Sequence, residues 1–243
     1  MSHTLELGVN IDHIATLRQA RFTPYPSILE AISLVEAAGA DAITLHLRED
    51  RRHIQDADVY EVRKHLNSRM NLEMAATDEM VTIAKDVMPE DVCLVPEKRE
   101  ELTTEGGLDI ISQFDRIQQV TQALNESDIK VSLFIEPDIE QIKRVTAIGA
   151  PKIELHTGTY ANATGAARQQ EFQRIVAAAE FAQSEGIQVN AGHGLDYQNT
   201  HEIAAIPQLK ELNIGHSMIA RAIFIGIEAA TKEMLAIMHT ARQ

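Results

Sequence analysis

Short apolar runs alternate along the chain with longer stretches of helical period. The runs that read as strands are LELGVNI (5–11), DAITLHL (41–47), MNLEM (70–74), DVCLVP (91–96), KVSLFIE (130–136), KIELHT (152–157), IQVNAG (187–192) and ELNIG (211–215). Between them, apolar residues recur at helical spacing over 27–39, 57–67, 78–87, 109–125, 138–148, 165–185 and 197–205. A last segment, 217–239, is long enough for two helices. Strands alternating with helices of this length predict parallel βαβ units. Eight such units predict one (β/α)8 barrel domain, with additional helices, over residues 1–243. An open doubly wound sheet is the competing arrangement, but no GxGxxG turn follows the first strand.

A weak internal repeat supports the barrel. Gly39, Gly149 and Gly186 each stand where a helix should stop, and a histidine follows each by the same interval: GADAITLH to His46, GAPKIELH to His156 and GIQVNAGH to His193. Each unit reads as helix stop, strand, then histidine near the strand's C-terminal end, the end where barrel enzymes build their sites. One such histidine reads as a hydrogen-bonded core residue; three in register point to a polar pocket.

Other polar residues fall at the same end. Residues two apart on a strand share a face, which pairs Asn10 with Asp12, His46 with Arg48, Asn71 with Glu73, and Glu154 with His156. If the pairs face the barrel axis they converge at one mouth. Glu73, in RMNLEMA, has apolar company that would raise its pKa and suit it to act as a base; its structural alternative is a buried ion pair with Arg48 or Arg69. Glu154 has the same choice of roles.

The charge balance then limits the partners. Of 243 residues, 22 are Lys or Arg and 36 Asp or Glu, a net charge of −14, which argues against nucleic acid or an anionic membrane as the main partner. Small anions need only a local positive site. The loop LREDRRH (47–53) supplies arginines where substrates enter a barrel, and Arg18 and Arg21 could join it, although a charge run is by default a solvated, self-paired face. The last two strands end in NAGHGL and NIGHSMIARAIF, glycine turns leading into helical segments, the usual place for a phosphate. The long loop 95–107, with Gly106 and Gly107 as hinge, reads as a lid or as plain surface.

Several chemistries are disfavoured. Cys93 is the only cysteine, which excludes an internal disulfide and any multi-cysteine zinc site. HExxH and GxxxxGKS motifs are missing; His46, Glu73 and His193 could hold zinc only by geometry. Of the lysines, only Lys98 falls at a catalytic end, against a Schiff-base aldolase. The first residues show no secretory pattern and no run suits a membrane span, so a cytoplasmic protein is expected. A one-phosphate isomerase or epimerase, or a catalytically silent barrel, stays open at this point.

The segments GVNIDHIATLRQAR (8–21), TLHLREDRRHI (44–54), RMNLEMA (69–75), LVPEKRE (94–100), LTTEGGLD (102–109), IELHTG (153–158), VNAGHGL (189–195) and ELNIGHSMIARAIF (211–224) together resemble the pyridoxine 5′-phosphate synthase family, nearly end to end and in order. The resemblance implies a (β/α)8 homo-octamer, without organic cofactor or metal. It implies condensation of 3-amino-2-oxopropyl phosphate with 1-deoxy-D-xylulose 5-phosphate to pyridoxine 5′-phosphate, phosphate and water. It further implies His46 and Glu73 as proton acceptors, His193 as proton donor and Glu154 as stabiliser of the transition state. Asn10, Arg21, Gly194, Gly215 and His216 would hold the aminoketone phosphate. Asp12, His13, Arg48, His53 and Thr103 would contact the pentulose phosphate.

Overall fold

The structure, a computed structural model, describes residues 4–98, 101, 103 and 106–243. Eight parallel strands close into a barrel in chain order: β1 (Glu6–Asn10), β2 (Ala42–His46), β3 (Arg69–Met74), β4 (Asp91–Leu94), β5 (Lys130–Ile135), β6 (Lys152–His156), β7 (Gln188–Gly192) and β8 (Leu209–Ile214). Closure pairs the first strand with the last, Glu6 opposite Glu211. All eight expected strands are present, most of them shorter than expected by a residue or two.

The outer ring comprises α1 (Asp12–Gln19), α2 (Ile28–Ala38), α3 (Asp56–His65), α4 (Asp78–Val87), α5 (Phe114–Asn125), α6 (Ile139–Ile148), α7 (Gly158–Asn162), α8 (Gly165–Ser184), α9 (Thr200–Ala204), α10 (His216–Ile225) and α11 (Ile227–Ala241). The expected segment 217–239 is two helices, broken at Gly226. Gly39 and Gly149 end α2 and α6 in the left-handed region that L side chains avoid, as the repeat predicts. No helix among the described residues is long and apolar enough to cross a membrane.

Outward-facing strand residues such as Leu7, Ile43, Leu72, Val92, Leu133 and Ile153 are fully buried beneath the helices and form the main core. The inside of the barrel departs from the bulky apolar filling such barrels ordinarily carry. Thr44 donates to Asn213 (2.9 Å), Asn71 to Thr44 (3.3 Å), and Asn213 to both Glu154 (2.7 Å) and Glu211 (3.3 Å). Glycine makes room for this polar filling: a Cβ on Gly192 would overlap the Glu154 carboxylate, and one on Gly8 the Asn213 amide.

The floor is ionic. Arg69 bonds Glu6 (2.5 Å), Asp91 (2.8 Å) and Glu211 (2.6 Å), and Lys152 bonds Asp91 (2.5 Å). Arg69 thus serves the opposite end of β3 from Glu73, and the ion pair with it that Glu73 could have made does not form.

Candidate active site

The C-terminal ends of the strands open into a cavity of about 1140 Å³. Twelve of the fourteen site residues named from the sequence line it: Asn10, Asp12, His13, His46, Arg48, His53, Glu73, Glu154, His193, Gly194, Gly215 and His216. Arg21, exposed on the turn after α1, and Thr103, in the β4–α5 loop, lie outside this lining. Of the loop 95–107 expected as a lid, residues 99, 100, 102, 104 and 105 lie outside the described residues.

Asp12 does not share a strand face with Asn10. It opens α1, and the two side chains meet through a reciprocal turn instead: the Asn10 amide donates to Asp12 (3.1 Å) and the Asp12 N–H to Asn10 (2.9 Å). The other Asp12 oxygen accepts the His46 N–H (2.8 Å), fixing the end of β2. His46 lies between two carboxyls. Its Nε2 is 2.9 Å from Glu97 and its Nδ1 is 3.8 Å from Glu73. Glu97 also accepts the Glu49 N–H (3.0 Å) and faces Arg48 (3.7 Å); although burial opposes its charge, these partners hold its carboxyl below the ordinary range. The bond from Nε2 to Glu97 orients the ring so that Nδ1 faces Glu73. Glu97 went unrecognised in the sequence, where it is one more charge in a mixed loop.

Three carboxyls, of Glu73, Glu154 and Asp12, converge, and among the described residues none of them forms an ion pair with a lysine or arginine. Burial, with Asp12 and Glu154 close by, drives Glu73 well above its ordinary pKa. Burial pushes Glu154 to about 8, the Asn213 hydrogen bond pulling back and Glu211 adding to the rise. Asp12 is raised by burial, against the pull of the His46 N–H. Glu154 so placed takes up and releases a proton near neutral pH, and the other two are shifted in the same direction.

The histidines divide by position. His13 and His216 meet edge to face at 4.9 Å, and burial, then His216, lowers the His13 pKa. His53 is lowered to about 4, by burial first and then by His46 and Arg48. Its Nδ1 accepts the Ile54 N–H (2.8 Å), so at neutral pH it offers a neutral Nε2–H, and the positive charge on that side of the cavity comes from Arg48 and Arg52. Arg18 and Arg51 are engaged elsewhere, Arg18 with Asp58 (2.6 Å) and Arg51 with Asp56 and Glu79.

Past β1 from the arginines, Gly215 at the end of β8 and Gly194 after β7 bring the backbone to the rim. Gly215 precedes α10, whose first N–H groups have no acceptor within the helix. A Cβ on Gly215 would stand 2.8 Å from the Asn10 Cβ, so this glycine is needed for the approach of α10 to β1 as much as for any anion. Arginines after β2 and a glycine-opened helix after β8 thus stand on either side of the end of β1.

A family model described as pyridoxal phosphate biosynthesis protein PdxJ matches residues 7–240. Pyridoxine 5′-phosphate synthases of Thioalkalivibrio sulfidiphilus, Aliivibrio fischeri and Photobacterium profundum are 57%, 58% and 59% identical to the chain, each match covering 98% of both proteins. Among solved structures, KGPDC from Streptococcus mutans superposes with TM-score 0.68 at 10% identity, covering 99% of this chain and 100% of that one. Phosphoribosyl anthranilate isomerase from Thermus thermophilus gives 0.61 at 13%, covering 98% and 100%. At such identities these two likenesses concern the fold alone.

Proposed function

The chain belongs to the PdxJ family of pyridoxal phosphate biosynthesis proteins, and from that premise we propose how its barrel mouth performs the pyridoxine 5′-phosphate synthase reaction, residue by residue. The substrates are 3-amino-2-oxopropyl phosphate and 1-deoxy-D-xylulose 5-phosphate. The aminoketone phosphate lies at the glycine side, on Gly194, Gly215 and His216 with Asn10, and Arg21 completes its site. The pentulose phosphate lies on Arg48 and His53, near Asp12 and His13, with Thr103 from the loop.

Condensation of the substrate amine with the pentulose carbonyl gives an imine and releases water. The later steps are enamine formation, loss of phosphate, aldol-type closure and dehydration, each moving a proton. His46 and Glu73 accept protons, His193 donates, and Glu154, fixed by Asn213, stabilises the charge that develops at ring closure. The observation that carries this reading is the meeting of Glu73 and His46 Nδ1 at 3.8 Å, in a mouth that also holds Arg48, Arg52 and the start of α10.

Because the imine nitrogen belongs to the substrate, the protein needs no lysine, and none lines the cavity among the described residues. Turnover of the two substrates should therefore raise the pyridoxine 5′-phosphate absorbance, and borohydride added during turnover should leave the protein mass unchanged. A mass increase on Lys98 would revive an aldolase-like enzyme. Absence of product, with binding of one phosphate compound alone, would favour an isomerase or epimerase.

The reading extends to a cytoplasmic, single-domain protomer in a homo-octamer. Phe22, Tyr25, Ile223 and Phe224 support the assembly, being large apolar side chains left 67–85% exposed. Light scattering should give a mass near eight chains.

A further inference from the structure

The third histidine of the repeat, His156, has no part in the reaction described above. It stands beside the proton donor: the His156 and His193 ring centres are 5.0 Å apart, and Phe134 packs against both, at 5.2 and 6.2 Å. We propose that Glu136 and His156 form a positioning dyad that seats the His193 ring and ties it to the β4–α5 loop through Gly107. The inference rests on the reading of His193 as proton donor.

A single oxygen, Oε1 of Glu136, bonds both His156 Nδ1 (2.7 Å) and the Gly107 N–H (2.9 Å). The loop is thereby joined to the histidine by two consecutive hydrogen bonds. Gly107 in turn accepts the Thr103 N–H (2.8 Å), and Leu108 donates to the Phe134 carbonyl (2.8 Å), so the loop's end is anchored on β5. Gly106 and Gly158 leave the space that the His156 ring fills. A Cβ on Gly106 would lie 3.3 Å from its Cε1, and one on Gly158 would overlap its Nε2 and lie 3.0 Å from the His193 ring.

His193 itself is held in an unfavourable conformation. Its φ of 78° is rare for a residue with a side chain. The Thr157 hydroxyl, next in sequence to His156, is 2.7 Å from both the Gly192 and His193 carbonyl oxygens. Thr157 therefore fixes the backbone of the donor while His156 fixes its ring. A donor held this way is placed for its transition state before substrate arrives, and the loop's position bears on it through the dyad.

On the elements that meet at the donor, the titratable and charged groups are Glu136 just after β5, Glu154 and His156 from β6, Asp196 after β7, and His216 and Arg221 from α10. Burial, and then His156, hold the His193 pKa below its ordinary value. A donor must carry its proton, so activity falls as pH rises through that value. Replacing His156 by a neutral amide removes the second of these influences and leaves the burial. His156→Asn keeps a nitrogen near the place of Nδ1 and should move the alkaline limb of kcat/KM upward. It should also lower kcat about tenfold with KM little changed. Because the two residues act as one, His156→Asn combined with Glu136→Gln should lose no more than the worse single variant. Should His156→Asn fail to fold, Glu136→Gln carries the test: about tenfold lower kcat at unchanged KM supports the dyad, and wild-type kcat overturns it. His193→Asn separates the two readings. A limb that persists in His193→Asn overturns the donor assignment and the dyad with it. A limb lost there but unmoved in His156→Asn, or losses that multiply in the double variant, overturns the dyad alone.

Discussion

Glu73→Gln is expected to lower kcat by about 10²- to 10⁴-fold, the usual cost of removing a positioned general base. The amide keeps the shape and the hydrogen-bonding atoms but cannot take a proton. The carboxyl lies 3.8 Å from His46 Nδ1, its side chain 16% exposed to the cavity, and burial with Asp12 and Glu154 raises its pKa toward the working range of a base. The fold should survive. A carboxyl whose folded pKa is raised destabilises the native state above its unfolded pKa, so the amide should match or exceed wild-type stability at neutral pH and lose that advantage in acid. Steady-state kinetics beside thermal melts at two pH values check both halves. Normal turnover would make Glu73 structural and place the base elsewhere.

The second large effect is on stability. Arg69→Met keeps the aliphatic stem but leaves Glu6, Asp91 and Glu211 facing one another at the barrel floor, where Asp91 and Glu211 are nearly inaccessible. Breaking a buried charge network by removing one partner costs about 3–5 kcal/mol. Arg69 leaves 32% of its side chain in water, so about 3 kcal/mol is expected. Lys152 still compensates Asp91, so the strain should concentrate on Glu211. Protonating the orphaned carboxyls relieves it, and the deficit should shrink as pH falls. Urea unfolding at neutral and acid pH measures this; a change within about 0.5 kcal/mol at both would mean that the network is idle.

The strands were legible because each is a run too short for a buried helix and ends in turn residues, and because the glycine stops repeat. Two helices were not. The α1 residues DHIATLRQ continue directly from a strand and carry only three apolar side chains among eight, so Asp12 reads as strand when it is the first residue of a helix. The α7 residues GTYAN are too few to show a period. The lining of the mouth was legible from polar residues at strand ends. What escaped were the groups that act on those residues from neighbouring units. Glu97 reaches His46 across the barrel rim, Asn213 fixes Glu154, and Glu136 lies behind His156. Each partner is set by sheet closure, which periodicity along the chain does not encode. The arginines show the converse limit. Arg18 and Arg51 have the sequence context of anion clamps, and only packing reveals that α3 and α4 carboxylates occupy them.

The seam between β1 and β8 has a consequence for how the chain is made. Every other pairing joins strands adjacent in sequence and can form as synthesis proceeds, but β1 meets its second partner only when residues 209–214 arrive. Until then Glu6–Asn10 has one side of its backbone open, and the apolar side chains of Leu7 and Val9 belong to a half-finished barrel. A ribosome-bound chain that ends before β8 therefore carries two strand edges able to pair with other nascent chains. The last two helices emerge after the seam strand, and α11 packs on α2. The helix α11 thus packs over the element that leads from β1 to β2, so that closure of the seam and cover of its first strand are secured by the same part of the chain.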